Sequence, residues 1–402
     1  VFTMTTSSGI QEVSGVIPAN TTWTAANVYL VTGNLLVPSG VTLTIEAGTV
    51  VKVQAQRYIR VDGALLAEGN DDDLVHFTSA VDAPSSTNDY WSGIRVMSGG
   101  YGAFRHCWFE YAYSGALKAE AGPILVEDSF FTRNADYLLD VRAGPSIIRR
   151  NRIWENGTGG AMYPVILGGE VSFVQNLVYG NYAWNPFPSP AVLQLSSGAV
   201  VSNTIIDNSL NGIEGTSSAG VHHNNLLRNL PYDVRTASAA ITMTAFYWGI
   251  PTTAEMVAEG ANSNIAAIYD YYDDFNLGRV AYAGWLTAPE PTAPAFVQTI
   301  GIDPSGVIGI EQAVFELRFS APMDQGVTPE VVLSNTQESV SFAIGTDTEW
   351  LSANVWRGAF DVTSLVPRGT YTISVREARG SDGMEIPPFF DSSIVVDYAS
   401  EI

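Results

Sequence analysis

Lysine is nearly absent from this 402-residue chain, which carries Lys52 and Lys118 and no other. With 41 acidic against 19 basic side chains the net charge is −22, a surface that repels nucleic acid and anionic lipid. Cysteine is scarcer still. Cys107 stands alone, which excludes an internal disulfide framework without identifying a compartment. No run of about 18 apolar residues occurs, so no membrane insertion is expected. An initiating Met and a basic-then-apolar leader are also missing, and the expectation is a mature, secreted form from which a signal peptide has been removed. The sequons at Asn20 and Asn156 (NTT, NGT) matter only in a host that glycosylates them and are read as chance.

What is present is material for a large core, with 46% apolar and 11% aromatic residues in a length that suits two domains. One phrase recurs. FRHCWFEYA (104–112), VEDSFFTRN (126–134), IRRNRIWEN (148–156), FVQNLVYGN (173–181), VVSNTIIDN (200–208) and VHHNNLLRN (221–229) align on Cys107, Ser129, Asn151, Asn176, Asn203 and Asn224, at spacings of 22, 22, 25, 27 and 21 residues. The column three places earlier and the column two places later are wholly apolar. Two short strands meeting at a tight bend, repeated every 20 to 27 residues, fit a solenoid whose coils stack. Paired strands lie ~4.8 Å apart, so the repeated asparagines can hydrogen-bond amide to amide as a ladder. Asparagine also tolerates the left-handed backbone a sharp bend requires. Cys107 and Ser129 fill the same column with small side chains, which makes Cys107 a packed thiol and not a nucleophile.

The first hundred residues continue the scheme. GNLLVPSGVTLTIEAGTVVKV, LLAEGN, VHFTSA, YWSGIRV and CWFEYA in succession resemble the opening of secreted bacterial right-handed parallel β-helix proteins of the pectate-lyase-like superfamily, and FYWGIPTTAEMVAEGANSNIAAIYDYYDDFNLGRVAYAGWL (246–286) resembles their closing segment. The resemblance implies about nine coils between residues 25 and 250, with AEMVAEGANSNIAAIYDYYDD as the C-terminal cover. After the proline-rich WLTAPEPTAPAF the pattern changes to short alternating strands. FSAPMD, TPEVVL and GTYTISVREARGSDG resemble bacterial immunoglobulin-like domains of extracellular proteins. The expected architecture is therefore all-β: an N-terminal segment and cap over 1–24, a right-handed parallel β-helix over 25–288, a linker over 289–297 and an immunoglobulin-like β-sandwich over 298–402.

Catalytic chemistry is poorly signalled. A lyase resembling the pectate type implies a Ca²⁺-binding carboxylate cluster beside a basic side chain. Glu110, Glu127, Asp128 and Asp136, with Arg133, Arg149, Arg150 and Arg152, are the candidates, although an ordinary charged sheet face explains them as well. A glycosidase resembling the polygalacturonases implies a close aspartate trio with His-Gly and Arg-Ile-Lys signatures, and NTIID (203–207) and VHHNN (221–225) match neither. His222 and His223 are consecutive, so they are expected on opposite faces and poor partners for one metal. Asp71, Asp72 and Asp73, and Asp270, Asp273 and Asp274, are the candidate Ca²⁺ ligands in loops, against the simpler reading of solvated acidic turns; no other cofactor is expected.

Two coils exceed the baseline length, in NGTGGAMYP (156–164) and NYAWNPFPSP (181–190). Insertions at equivalent places in stacked coils emerge together, which brings Tyr163, Tyr182, Trp184 and Phe187 to one side as a contact surface for protein or glycan, or as self-packed cover. The β-prone VFTMTT before the first repeat shows no partner within the chain; it either pairs with a sheet edge of another molecule, or folds back on the first coil or stays disordered. Two functional classes follow. One is an extracellular, cell-surface structural or adhesive subunit that self-associates; the other is a polysaccharide lyase, hydrolase or carbohydrate-binding protein.

Overall fold

A computed structural model describes residues 3–7, 9–157, 164–182, 191–215 and 220–398, the first five by backbone alone. The chain divides into two compact units, Val1–Thr287 and Ala288–Ile402.

The first unit is a parallel β-solenoid of three sheets. The first sheet stacks ten strands in parallel, from Thr21–Trp23 through Thr42–Glu46, Ala64–Glu68 and Tyr101–Arg105 to the start of Val221–Leu227 and Thr244–Tyr247. The second runs beside it from Ile10–Val16 and Val28–Val37 to the end of Val221–Leu227. The third closes each coil and ends at Ile268–Tyr269. The nine expected coils are thus ten, because Thr21–Trp23 already pairs with Thr42–Glu46 and opens the stack before residue 25.

Alternation decides which side chains enter the rod. In Thr42–Glu46 the residues Leu43 and Ile45 are buried while Thr42 and Thr44 stay half-exposed. The two apolar columns of the repeat become two interior columns. Phe104, Val126, Ile148, Phe173, Val200 and Val221 line one, and Phe109, Phe131, Ile153, Val178, Ile205 and Leu226 the other, all buried. Within the second column Phe77, Phe109 and Phe131 stack face to face, with ring centroids 5.0 and 4.8 Å apart, which is the coil spacing itself.

The two ends are finished differently. The segment Thr3–Ser7, for which the sequence shows no partner, pairs antiparallel with Ile10–Val16 within the chain, in a register running from Thr3↔Ser14 to Ser7↔Ile10. Next to it Trp23 stacks on Tyr29 at 4.4 Å. At the other end the helix Gly249–Glu259 and the segments after it bring Trp248, Met256, Ile265 and Tyr282 into the same core. The Tyr282 hydroxyl holds the helix C-terminus, donating to the Gly260 carbonyl at 2.7 Å.

The second unit has a four-stranded antiparallel sheet, ordered Val297–Asp303, Gln312–Phe319, Val355–Asp361, Thr346–Ser352. Its other sheet has five strands, ordered Val307–Ile308, Phe389–Val396, Gly369–Arg376, Glu330–Asn335, Val340–Ala343. Phe315, Leu317, Phe319 and Trp356 from the one and Leu333, Tyr371, Ile373 and Val375 from the other form one core. The core reaches back into the proline-rich stretch. Ala295 and Val297 belong to it, and Phe296, also buried, exchanges hydrogen bonds with Ser320 at 2.9 and 3.0 Å.

Candidate functional site: the outer faces of the solenoid

In the six coils that carry the repeated phrase, the chain turns from the first sheet to the second through one left-handed residue followed by the ladder residue. The left-handed residue is not the asparagine. Positive φ falls on the residue before it: His106, Asp128, Arg150, Gln175, Ser202 and His223, at 47° to 56°. Asparagine is selected for its amide instead. Asn176 Oδ1 accepts the Asn151 backbone N–H and side-chain N–H, both at 3.0 Å, while Asn176 donates to Asn203 Oδ1 in the same two ways, at 2.8 and 3.0 Å. Asn203 repeats this toward Asn224. Ser129 and Cys107 continue the column, since the Cys107 N–H donates to Ser129 Oγ and the Ser129 N–H to Asn151 Oδ1, both at 3.0 Å. Burial pushes the Cys107 thiol well above its usual pKa, as a packed thiol requires.

A second ladder occupies the bend from the second sheet to the third. Asn134, Asn156, Asn181, Asn208 and Asn229 are buried and linked amide to amide at 2.7 to 3.0 Å. It ends on Asp233, whose Oδ1 accepts both the backbone and side-chain N–H of Asn229 at 2.9 Å. Asp233 is buried, and desolvation raises its pKa to about 7 against the opposing pull of the Asn229 hydrogen bonds. The sequence carries the signal, since the last residue of five of the six aligned phrases is this second asparagine.

The candidate carboxylates do not converge. Glu127 lies between Arg105, at 2.9 Å, and Arg149, and Arg105 reaches on to Glu68 at 2.6 Å. Asp128 and Arg150 form a two-pronged pair at 2.7 and 2.6 Å. Glu110 accepts from Arg133 at 2.7 Å and from the Thr78 hydroxyl at 3.0 Å. Burial pushes the Asp136 carboxyl above its usual pKa, with Lys118 acting the other way. Arg152 donates to the Tyr179 hydroxyl at 3.0 Å.

The acidic loops are occupied by turn geometry. Asn70 Oδ1 accepts the N–H groups of Asp72 and Asp73, and Asp71 meets His106 Nδ1 at 3.2 Å. Asp270 is buried and accepts the N–H groups of Tyr272 and Val280; Asp273 accepts that of Asp270, and Asp274 that of Asn276. Among the described residues no group of three or more His, Cys, Asp or Glu is disposed to hold a metal.

One expectation is overturned. His222 and His223 do not point apart: their Nδ1 atoms are 2.8 Å from each other. The reason is the left-handed backbone of His223, φ 56°, which breaks the alternation of an extended strand.

The outer face of the second sheet carries an aromatic strip that sequence reasoning passed over. His76 stacks on Trp108 at 6.0 Å, Trp108 on Phe130 at 5.5 Å, and Trp154 on Tyr179 at 6.2 Å. Trp108 also meets Trp154 edge to face at 5.4 Å, and the Arg152 guanidinium lies over both Trp154 and Tyr179. His76, Trp108, Phe130, Arg152 and Trp154 are half-buried; farther along, Leu177, Thr204, Ile206 and Leu227 on the same outer face are buried. The rings follow the ladder column by one place (Trp108, Phe130) or three (Trp154, Tyr179), which are the outward positions of the strand. Ring faces bordered by Arg152 and the Glu110–Arg133 pair suit a ligand with apolar faces and hydroxyl edges. Of the four insertion aromatics, Tyr163, Trp184 and Phe187 lie outside the described residues. Tyr182 is stacked on Gly157, where any Cβ would fall 1.5 Å from the Tyr182 carbonyl oxygen, so the position takes glycine alone.

These features define a parallel β-solenoid with a second all-β unit. Residues 15–101 match a family model described as a pectate-lyase like beta helix domain. No curated protein matches the chain.

Proposed function

We propose that this chain is a secreted structural or adhesive rod of the cell surface that self-associates into a filament, layer or matrix. The observation that carries the reading is the use of the outward charges: Glu68, Glu110, Glu127, Asp128 and Asp207 are each held by an arginine of a neighbouring coil. With the two amide ladders, these columns tie coil to coil from Glu68 to Asn229, and stiffness is the property they serve. In this reading the rod is right-handed, as nearly all crossovers between parallel strands are. The second unit is an immunoglobulin-like sandwich, a reading supported by Tyr371, whose hydroxyl donates to the Pro367 carbonyl at 2.7 Å in the manner of a tyrosine corner. Assembly runs through Thr3–Ser7, which pairs on one side with Ile10–Val16 and, among the described residues, with no strand on the other. Electron microscopy of the native material should show ordered polymers. Deleting residues 1–12 removes this edge and leaves the core from Val13 onward, so the truncated chain should fold and stay unpolymerised; polymers of normal length from it would end the proposal.

The aromatic strip favours a second reading, a carbohydrate-binding or polysaccharide-active protein, in keeping with the description of the matched family model. Monodisperse protein that releases unsaturated sugar from uronic-acid polymers would establish the enzymatic form. Retention on a glycan column that falls at least tenfold in the Trp108→Ser, Trp154→Ser double variant would establish the binding form.

A further inference from the structure

We propose that His222 and His223 form a surface site for one divalent transition-metal ion with affinity for imidazole, of the Zn²⁺ type. Their Nδ1 atoms are 2.8 Å apart and their rings stand at 87° with centroids 5.0 Å apart. At that separation two neutral imidazoles share a proton, one Nδ1–H donating to the other Nδ1 lone pair. Moving that proton to Nε2 of its own ring through solvent frees both lone pairs with no net change in charge. Two nitrogens bound to a tetrahedral ion at ~2.0–2.1 Å lie roughly 3.3 Å apart, so the rings need open by only about half an ångström.

The backbone holds the pair in place. The Ser202 N–H donates to the His223 carbonyl at 2.8 Å, and Asn224 Nδ2 donates to the His222 carbonyl at 2.9 Å. His222 is also locked in register between Val201 and Thr244. The ladder thus pre-organises a two-nitrogen chelate at the bend. His223 is exposed and His222 half-buried, which leaves the remaining coordination positions to water or an outside ligand. Imidazole nitrogens select borderline ions over Ca²⁺ and Mg²⁺, which take oxygen ligands. This site lies on the first sheet and is independent of the aromatic strip on the second.

Calorimetric titration of the full chain with ZnCl₂ at pH 7.5 tests the assignment, because only His76 and His106 remain as other histidines. One ion per chain is expected, with no response to CaCl₂. His222→Ala and His223→Asn should each weaken binding at least tenfold; asparagine at 223 keeps a residue that tolerates the left-handed bend. Melting temperatures unchanged from wild type show that a variant has lost the ligand and not the fold. Absence of binding at pH 7.5, binding indifferent to both substitutions, or binding removed by His106→Ala, which would assign it to the His106–Asp71 pair, overturns the proposal.

Discussion

Asn176 shows how one amide serves three coils: its oxygen takes two donors from Asn151, and its nitrogen donates forward to Asn203 and back to the Ile148 carbonyl. Leucine at this position fills the space and satisfies none of these groups. Asn176→Leu should cost about 1–3 kcal/mol, and a shift of the urea midpoint measures it; an unchanged midpoint would contradict the ladder. The end of the second ladder behaves differently, because Asp233 can ionise. Its folded pKa of about 7 stands above the 3.8 of a solvent-exposed carboxyl, the value taken for the unfolded chain. Below pH 3.8 both folded and unfolded chains hold the proton and the contribution to stability is complete. Between 3.8 and 7 the folded chain binds more protons than the unfolded one, so stability falls as pH rises, by at most about 4 kcal/mol. Asp233→Asn keeps the oxygen that Asn229 donates to and cannot ionise. Urea unfolding at pH 5 and pH 8 should show the wild type losing stability relative to this variant; parallel pH profiles would remove Asp233 from the argument.

Strand columns were legible in the sequence where a position faces the interior, because the two columns flanking the ladder hold Val, Ile, Leu and Phe alone. Phe131 is the plainest case, stacked on Phe109 at 4.8 Å and fully buried. Phe131→Ala should cost about 3–5 kcal/mol in denaturant unfolding, the range for a buried aromatic whose cavity stays open, and a loss below about 1 kcal/mol would mean the stack can collapse. The bends were less legible. Their left-handed position is filled by His, Asp, Arg, Gln, Ser and His in turn, with no glycine or asparagine to mark it, so the strain was assigned to the residue beside it. That same error hid the His222–His223 pair, since alternation was applied across a bend. The charged columns could have been read directly. Arg105, Glu127 and Arg149 are separated by 22 residues each, as are Asp128 and Arg150, which is the coil length and therefore places opposite charges side by side.

At the scale of the whole molecule the two units have separate cores, one running from Val13 to Tyr282 and the other from Ala295 to Val396. A solenoid gains stability coil by coil, whereas the second unit closes one core between two sheets. Proline spacing put the linker at 289–297, since prolines punctuate chains whether or not the residues between them are packed. Ala293, Ala295, Phe296 and Val297 are buried all the same. The boundary can therefore be tested with two fragments. One spanning 288–402 should fold alone with a cooperative thermal transition, because its core is complete. Another spanning 298–402 lacks Ala295 and Val297 from that core and the Phe296–Ser320 hydrogen bonds at its edge. Burial of a Val and a Phe side chain is worth about 1.5–3 kcal/mol each, and in a domain of this size 1 kcal/mol moves the melting temperature by roughly 4–8 °C. The shorter fragment should melt at least about 10 °C lower or fail to fold; equal melting temperatures would return residues 289–297 to the status of a linker.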